Sequence, residues 1–238
     1  INAAIEQDQS LTMNPVILDP ATEDGFLFAD TLAQEEGYDP FSAMISSARA
    51  AGMYVYAIYD LRLAADGSLV DAAFISNAVQ GCADFADRYD LDGVLLTGYY
   101  TSETLDGYQQ YLSEGSGIGY ENYLYESTGQ LLRLAAQTMR ENASHLQIGV
   151  LADPVWANAD AMPEGSQTSA SFQSYLDGYV DLRTMTEQGL FDFLAVKALE
   201  NTDDPQTPFT AVASWWTELA EQNDLPCYLV QDSGETMT

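Results

Sequence analysis

The sequence predicts an α/β fold of the (β/α)8-barrel type, with residues 1–238 in a single domain. Six short apolar segments alternate with longer segments in which apolar residues recur every three or four positions, as strands alternate with helices. Each short segment is almost continuously apolar, which is typical of parallel strands covered by helices. The long loops follow strands only, and in a barrel these loops build the functional face.

The elements can be placed in chain order from these patterns and from their end signals. The opening residues have the pattern of an amphipathic helix, and an apolar run bounded by proline and aspartate follows as the first strand. The next helix has Pro40 near its start and Gly52 at its end. Strands are predicted over residues 14–20, 53–61, 92–100, 146–154, 191–200 and 225–232, helices over 39–52, 71–90, 121–142, 174–190 and 207–224, and a loop rich in tyrosine and glycine over 99–120.

A doubly wound open sheet has the same alternation of strands and helices, so periodicity alone does not separate it from a barrel. No GxGxxG or GxxxxGK[ST] motif follows any strand, which weakens the nucleotide-binding versions of the open sheet. Six strands are two fewer than a complete barrel contains, so the first and last strands are expected either outside this chain, which leaves the barrel incomplete, or in segments whose pattern does not mark them as strands. The opening residues read as the interior of a helix, which predicts that the chain is part of a larger protein.

The composition excludes several classes of partner. Thirty-seven acidic residues face seven basic ones, and a net charge of −30 repels nucleic acid and anionic membrane surfaces. No apolar run of about 18 residues is present, so no membrane insertion is expected. Cys82 and Cys227 lie in apolar patterns without CxxC spacing or a histidine cluster, which argues against a metal site. Buried free thiols are the favoured interpretation, a disulfide stays possible, and no cofactor is expected.

The predicted strands carry an acidic residue at five of their six C-terminal ends. These residues are Asp19, Asp60, Asp153, Glu200 and Asp232. Aspartate is also common in turns and helix caps, so a structural role would account for each residue alone. If the sheet closes, however, the five carboxylates converge on one opening, which we call the mouth. The set therefore predicts an acidic cleft at the mouth.

Lys197 is the only lysine in the chain, and it lies three residues before Glu200 on the fifth predicted strand. The alternation of side chains along a strand allows it to point into the barrel near the mouth. A Schiff-base lysine needs surroundings that favour the neutral amine, whereas neighbouring carboxylates favour the charged one. We therefore expect Lys197 to form a structural ion pair with an acid at the mouth.

Aromatic residues are frequent in the same segments. The chain has fifteen tyrosines, and the mouth-side segments contain Tyr59, Tyr99, Tyr100, Tyr108, Tyr111, Tyr120 and Trp156. Aromatic faces beside carboxylates suit sugar rings, whose C–H faces stack while their hydroxyls seek acceptors. Packing at the bases of loops accounts for tyrosines equally well, and both interpretations stay open.

Five segments resemble the glycosyl-hydrolase-like family 10 barrels, a family of bacterial envelope and secreted proteins. The segments are YDLDGVLL, GVLADPVWAN, QSYLDGYVDLRTMTEQGLFDFL, PFTAVASWWTEL and LPCYLVQ, and the similarity runs from about Ile1 to Gln231. The most specific matches are Tyr89 to Gly93, the pair Trp156 and Asn158, the segment from Gln173 to Arg183, and Trp215 with Trp216. The resemblance implies a TIM barrel, a polysaccharide or peptidoglycan-like ligand and an extracytoplasmic location, secreted or in the cell envelope.

The departures from the family pattern concern the expected catalytic positions. Members of the family carry two consecutive aspartates after the strand that begins with the Asp-Gly turn, and this chain has Thr97 and Gly98 there. Further departures are Val196-Lys197, Leu199-Glu200, Asp153-Pro154 and Ala157. Glycoside hydrolysis normally requires two carboxyl groups about 5 to 10 Å apart. Neither Thr97 nor Gly98 supplies one.

Two hypotheses follow. In the first, the barrel binds carbohydrate or holds neighbouring domains of the same polypeptide without turnover, with Asp19, Tyr59, Tyr99, Tyr100, Trp156, Asn158 and Lys197 as candidate binding residues. In the second, the chain is an active glycoside hydrolase, acting on a bacterial or dietary polysaccharide through relocated carboxylates. Asp153 and Glu200 are then the best catalytic candidates, followed by Asp60 and Asp232.

Overall fold

The computed structural model describes residues 15–22, 25–26, 39–62, 72–114, 117–198 and 204–230. The strands are β1 (Pro15–Leu18), β2 (Ala21–Thr22), β3 (Gly25–Phe26), β4 (Tyr54–Asp60), β5 (Gly93–Thr97), β6 (Gln147–Ala152), β7 (Phe193–Lys197) and β8 (Cys227–Val230). The helices are α1 (Pro40–Ala50), α2 (Ala72–Arg88), α3 (Leu105–Glu114), α4 (Tyr120–Asn142), α5 (Leu182–Glu187) and α6 (Phe209–Gln222). The six predicted strands correspond to β1, β4, β5, β6, β7 and β8.

These six strands form one parallel sheet in the order β1-β4-β5-β6-β7-β8, while β2 and β3 form a separate antiparallel pair. The order in space equals the order along the chain. A doubly wound sheet reverses its order at a switch point, and no such reversal occurs among the described strands. The sheet is therefore of the barrel type, as predicted, with six of the eight strands of a full barrel described.

The two faces of the sheet have different roles. On the outer face, alternate strand residues such as Val55, Leu96 and Val150 belong to the main hydrophobic core, together with residues of the helices. The inner face carries a smaller cluster formed by Leu95, Leu151, Phe193 and Ala195. Because side chains alternate along a strand, Asp60, Asp153 and Lys197 fall on the inner face at the C-terminal ends of their strands.

One predicted helix is wrong over its first half. The helix predicted over residues 174–190 begins only at Leu182, with Asp181 as its N-cap. Tyr179 has a φ of 52°, which a right-handed helix does not allow, and the amide of Ser174 donates instead to the carbonyl of Val155. The spacing of apolar residues resembled a helix, but this segment packs against the exit of β6.

Helix α3 lies in the segment that was predicted as a loop. Thr104 caps its start by accepting a hydrogen bond at its Oγ1 from the amide of Gly107, at 3.0 Å. Rings of α3 and α4 pack together, and the contacting side chains are Tyr108, Tyr111, Tyr120 and Tyr123. Tyrosines that were expected near the mouth thus join two helices.

A half-buried aspartate, Asp92, connects the start of β5 to its neighbours. The carboxylate of Asp92 accepts a hydrogen bond from the amide of Val55 on β4, at 2.6 Å, and the amide of Asp92 donates to the Val55 carbonyl, at 2.8 Å. The same carboxylate lies 2.8 Å from Nη1 of Arg49 at the end of α1. We call this arrangement an aspartate bridge. It fixes the register of β5 against β4 and attaches the end of helix α1 to the start of β5.

A second aspartate bridge repeats the arrangement two strands further on. Asp192 precedes β7, its carboxylate accepts from the amide of Ile148 on β6 at 2.7 Å, and its own amide donates to the Ile148 carbonyl at 2.7 Å. Arg140 near the end of α4 pairs with the same carboxylate at 2.9 Å. The pairing of β4 with β5 and that of β6 with β7 are therefore fixed in the same way.

The other end of β5 is shaped by Gly98, which has a φ of 70°. A Cβ atom at this position would lie 2.0 Å from Oδ1 of Asp60, at the end of β4. The same Oδ1 accepts a hydrogen bond from the amide of Arg62, at 2.9 Å. The space beside Thr97 that a side chain at position 98 would need is therefore occupied by the Asp60 carboxylate.

We expect Asp92→Ala to lower the free energy of unfolding by about 2 to 3 kcal/mol, because it removes a charged hydrogen bond and leaves Arg49 without its close partner. Urea unfolding followed by circular dichroism measures the change. Asp90→Ala is the matched control, since Asp90 lies 3.8 Å from the same arginine with its side chain 81% exposed, and we expect it to cost less than about 0.5 kcal/mol. Equal stability of the two variants would contradict the role of the bridge.

We expect Gly98→Ala to destabilise the protein more than Gly52→Ala does. Both glycines have positive φ, and a Cβ at Gly52 meets nothing within 4 Å. The control therefore reports backbone strain alone, about 1 to 2 kcal/mol, whereas Gly98→Ala must also displace Asp60, at a further cost of at least about 1 kcal/mol. Thermal unfolding of both variants decides the matter, and a smaller loss for Gly98→Ala would show that Asp60 yields freely.

Candidate functional site

The centre of the candidate site is an ion pair between the exits of β6 and β7. Nζ of Lys197 donates to Oδ1 of Asp153 at 3.0 Å, and the two side chains are 33% and 21% exposed. The expected ion pair of the single lysine is therefore confirmed, with Asp153 as its partner. The pair presents an acceptor and a cation side by side at the mouth.

Two adjacent tyrosines connect the exit of β5 to the exit of β6. The hydroxyl of Tyr99 donates to the carbonyl of Leu151 at 3.0 Å and lies 3.1 Å from the hydroxyl of Tyr100. The amide of Asp153 donates to the hydroxyl of Tyr100 over a longer distance of 3.4 Å. Burial is the main cause that raises the pKa of both phenols above the ordinary value, so both hydroxyls stay protonated.

A cleft of about 320 Å³ opens beside Asp153. Its lining consists of Asp153, Pro154, Val155, Ala170, Ser171, Phe172, Gln206 and Thr207. The floor is the exit of β6, one wall is the loop after β6, and the other wall is the loop after β7. Phe172 is 43% exposed, so an aromatic side chain lies on the same cleft as the carboxylate.

Hydrogen bonds between the two loops hold the walls of the cleft. The amide of Ser169 donates to the carbonyl of Gln206 at 2.8 Å. Oδ1 of Asp204 accepts hydrogen bonds from the amide of Thr207 at 2.6 Å and from the amide of Gln206 at 2.9 Å. These two bonds lower the pKa of Asp204, the one from Thr207 most, so the carboxylate that orders this wall is ionised at neutral pH.

The adjacent tryptophans of α6 fix the loop after β6 from below. Trp216 is fully buried and its Nε1 donates to the carbonyl of Pro154, in the floor of the cleft, at 2.8 Å. Trp215 donates from Nε1 to the carbonyl of Glu164 at 2.7 Å. The tryptophan pair that the sequence analysis singled out therefore supports the cleft without lining it.

Several predicted binding residues are not part of the lining of the cleft. Tyr59 is buried on the outer face, with its ring centroid 4.7 Å from that of Phe85 on α2. Trp156 is buried in a parallel stack with Trp215 at 5.6 Å. Asp19 is exposed at the end of β1. For Tyr59, the adjacent inward position of Asp60 already indicated the opposite face, because neighbouring strand residues alternate.

Asn158 has an internal role in the loop after β6. Its Oδ1 accepts from Oγ1 of Thr168 at 2.8 Å and from the amide of Ala170 at 3.0 Å, and its Nδ2 donates to the Ala170 carbonyl at 2.9 Å. Both side-chain atoms are thus used within the loop that carries Phe172. Glu200 and Asp232, two of the catalytic candidates, lie outside the described residues.

Other groups give no sign of a metal or membrane site in the described parts of the chain. No cluster of three or more histidine, cysteine, aspartate or glutamate side chains there could hold a metal ion. Among the described helices, none combines the length and the apolar character that a membrane crossing needs. Cys82 is buried and Cys227 half-buried, both as free thiols, and burial raises the pKa of Cys227 to about 11.

Phe172 is the site residue that the sequence analysis missed. It stands in a segment rich in serine and alanine, where no periodic pattern marks it. Only the folding of the loop after β6 brings its ring edge-on to Tyr100, with ring centroids 5.6 Å apart. An isolated aromatic residue in a loop of small residues was the one available signal.

Comparison with known proteins gives two curated relatives in bacteria. The glycosyl hydrolase YngK of Bacillus subtilis is 24% identical over 161 residues, which cover 64% of this chain and 31% of YngK. The glycosyl hydrolase DigH of Escherichia coli K12 is 22% identical over 248 residues, which cover 85% of this chain and 56% of DigH. This chain therefore spans about a third of the length of YngK and somewhat more than half of that of DigH. No family model matches the chain.

Solved glycosidase structures share the fold. A β-glucosidase aligns with a TM-score of 0.57 and 14% identity, over 96% of this chain and 66% of the enzyme. The β-glucosidase of Thermotoga maritima gives a TM-score of 0.52 at 10% identity, over 96% and 65%, and a GH10 protein of Paenibacillus barcinonensis gives 0.52 at 11%, over 94% and 64%. The chain thus has a glycoside-hydrolase-like barrel fold, within which six parallel strands are described.

Proposed function

We propose that this chain is a carbohydrate-binding barrel, with the cleft beside Asp153 as its glycan site. The observation that carries the proposal is that a carboxylate and an exposed aromatic ring, Asp153 and Phe172, line the same cleft. Sugar recognition combines an aromatic face for the C–H surface of the ring with polar groups for its hydroxyls. The names of the curated relatives and of the structures with a similar fold support a glycan as the ligand class.

The contacts of the described mouth acids with other groups of the protein favour binding over hydrolysis. Asp60 and Asp153 are separated by β5, so their backbones are about 10 Å apart across the sheet. In the register of the sheet Asp60 is level with Thr97 on β5, and the same register aligns Thr97 with Leu151 on β6. Asp153 comes two residues after Leu151, so its backbone lies ~7 Å further along the strands than that of Asp60. The resulting separation of about 12 Å is that of the two backbones, and the carboxylate of Asp60 accepts a hydrogen bond from the amide of Arg62 at 2.9 Å. Asp153 is moreover paired with Lys197.

The charge of the chain narrows the class of glycan. At a net charge of −30, polyuronates and sulfated glycans are repelled, so neutral or amino sugars are the proposed ligands. We further propose an extracytoplasmic location and neighbouring domains in the same polypeptide. The resemblance to envelope and secreted barrels supports the location, and the greater length of the curated relatives supports the neighbouring domains.

We expect the chain to bind at least one neutral oligosaccharide among chitohexaose, cellohexaose and xylohexaose, and not to bind polygalacturonate. Asp153→Asn should weaken that binding about tenfold or more, the loss of a charged hydrogen bond, and Phe172→Ala should weaken it about fivefold or more by removing the aromatic face. Glu126→Gln, an exposed change on α4, is the control. Isothermal titration calorimetry measures the affinities. Wild-type affinity in the Asp153→Asn variant would contradict a site in this cleft.

We expect no release of reducing ends from the same oligosaccharides. Turnover by the wild-type chain that disappears in Asp153→Asn would establish the alternative, a glycoside hydrolase with relocated carboxylates. Turnover that survives Asp153→Asn and disappears in a Glu200→Gln variant would assign catalysis to a different strand exit. Either result would replace the binding proposal.

A further inference from the structure

The hydroxyls of Tyr99 and Tyr100 form a chain of hydrogen bonds that connects Asp153 to Leu151. Each phenol has one proton, and Tyr99 donates its proton to the Leu151 carbonyl. The proton of Tyr100 has two neighbouring acceptors, the Tyr99 hydroxyl oxygen at 3.1 Å and the side chain of Asp153, whose hydrogen bond contributes to the raised pKa of Tyr100. The oxygen of Tyr100 accepts from the amide of Asp153. These hydrogen bonds connect Asp153 through Tyr100 and Tyr99 to the carbonyl of Leu151.

The position of this chain relative to the sheet gives it a specific role. The pairing of β5 with β6 ends at Leu96 and Val150, so Leu151 and Asp153 lie beyond the last paired residues on that side. The two hydroxyls continue the connection past the end of the backbone ladder. They tie the backbone of Asp153, and with it the ion pair to Lys197, to the exit of β5.

The ring of Tyr100 contacts the loop after β6, which carries Phe172. It lies edge-on to Phe172 at 87°, and it leaves no room for a Cβ at Gly178, which would lie 2.6 Å from Cδ1 of Tyr100. The carbonyl of Gly178 in turn accepts a hydrogen bond from the amide of Thr101, at 3.2 Å. The loop that carries Phe172 is therefore packed against Tyr100.

We infer that Tyr100 is a positioning residue, which sets the spacing between the Asp153–Lys197 pair and the aromatic ring of Phe172. The hydroxyl of Tyr100 is hydrogen-bonded to Asp153, and its ring packs against that of Phe172. The inference rests on the proposed function, since it assigns a determinant of glycan recognition to that same cleft. It changes the role of Tyr100 from the predicted contact with a ligand to support of the groups that make the contact.

Lys197 provides a test that needs no ligand. It is the only lysine in the chain, so acetylation by an N-hydroxysuccinimide ester, mapped by peptide mass spectrometry, reports its reactivity separately from the N-terminal amine. Tyr100→Phe keeps the ring and removes the hydroxyl. We expect Lys197 to react about two- to fivefold faster in this variant, because the loss of the hydrogen bonds that join the Tyr100 hydroxyl to the amide and the side chain of Asp153 loosens Asp153. Tyr99→Phe should change the rate in the same direction.

Tyr111→Phe is the matched control, since it also removes one phenol hydrogen bond, to the carbonyl of Ile118, in the tyrosine cluster between α3 and α4 rather than in the lining of the cleft. It should leave the Lys197 rate unchanged even if it lowers the melting temperature. An unchanged Lys197 rate in a folded Tyr100→Phe variant would overturn the inference. A faster rate in a protein that binds none of the oligosaccharides would support the positioning role while contradicting the proposed function.

Discussion

The aspartate bridges determine where the strands of this barrel meet. A parallel sheet has no hairpin to set its register, so each strand must find its neighbour across a long connection. Asp92 and Asp192 solve this problem at the starts of β5 and β7, where each carboxylate joins the preceding strand and an arginine of a preceding helix. Because the register is fixed at the start, the strand ends also arrive in register. Asp153 and Lys197 can then meet at 3.0 Å.

Much of the fold could be predicted because the central strands β5, β6 and β7 are buried on both faces. Short continuous apolar runs such as Val94 to Leu96, bounded by turn residues, are typical of buried parallel strands, and all six strands were predicted. Element ends near the mouth were harder, because they depend on tertiary contacts. The apolar residues before Leu182 have helical spacing. The segment nevertheless forms turns, in which the amide of Ser174 donates to the carbonyl of Val155 after β6 and Tyr179 has a positive φ. Helix α3 was missed because its tyrosines pack on α4 and break the usual pattern of a surface helix.

The site was predicted in part: residues at strand ends could be placed from the sequence, whereas a residue on a loop could not. Asp153 and Lys197 could be placed because strand alternation carries side-chain direction from the sequence into three dimensions. Phe172 could not, since its position depends on a loop whose course is set by Asn158 and by the indoles of α6. Tyr99 and Tyr100 were expected to contact a ligand. Their hydroxyls connect two strand exits through hydrogen bonds to each other, to the carbonyl of Leu151 and to the amide of Asp153.

The left-handed turn at Gly98 also constrains how this barrel can change during evolution. Every residue other than glycine has a Cβ atom, and at this position that atom would collide with the Asp60 carboxylate. A substitution that introduces an acid at position 98 is therefore unfavourable until position 60 has changed. The two sites are epistatic, with an order in which the mutations are tolerated. An aspartate pair at this strand exit is consequently separated from the present sequence by at least two dependent steps.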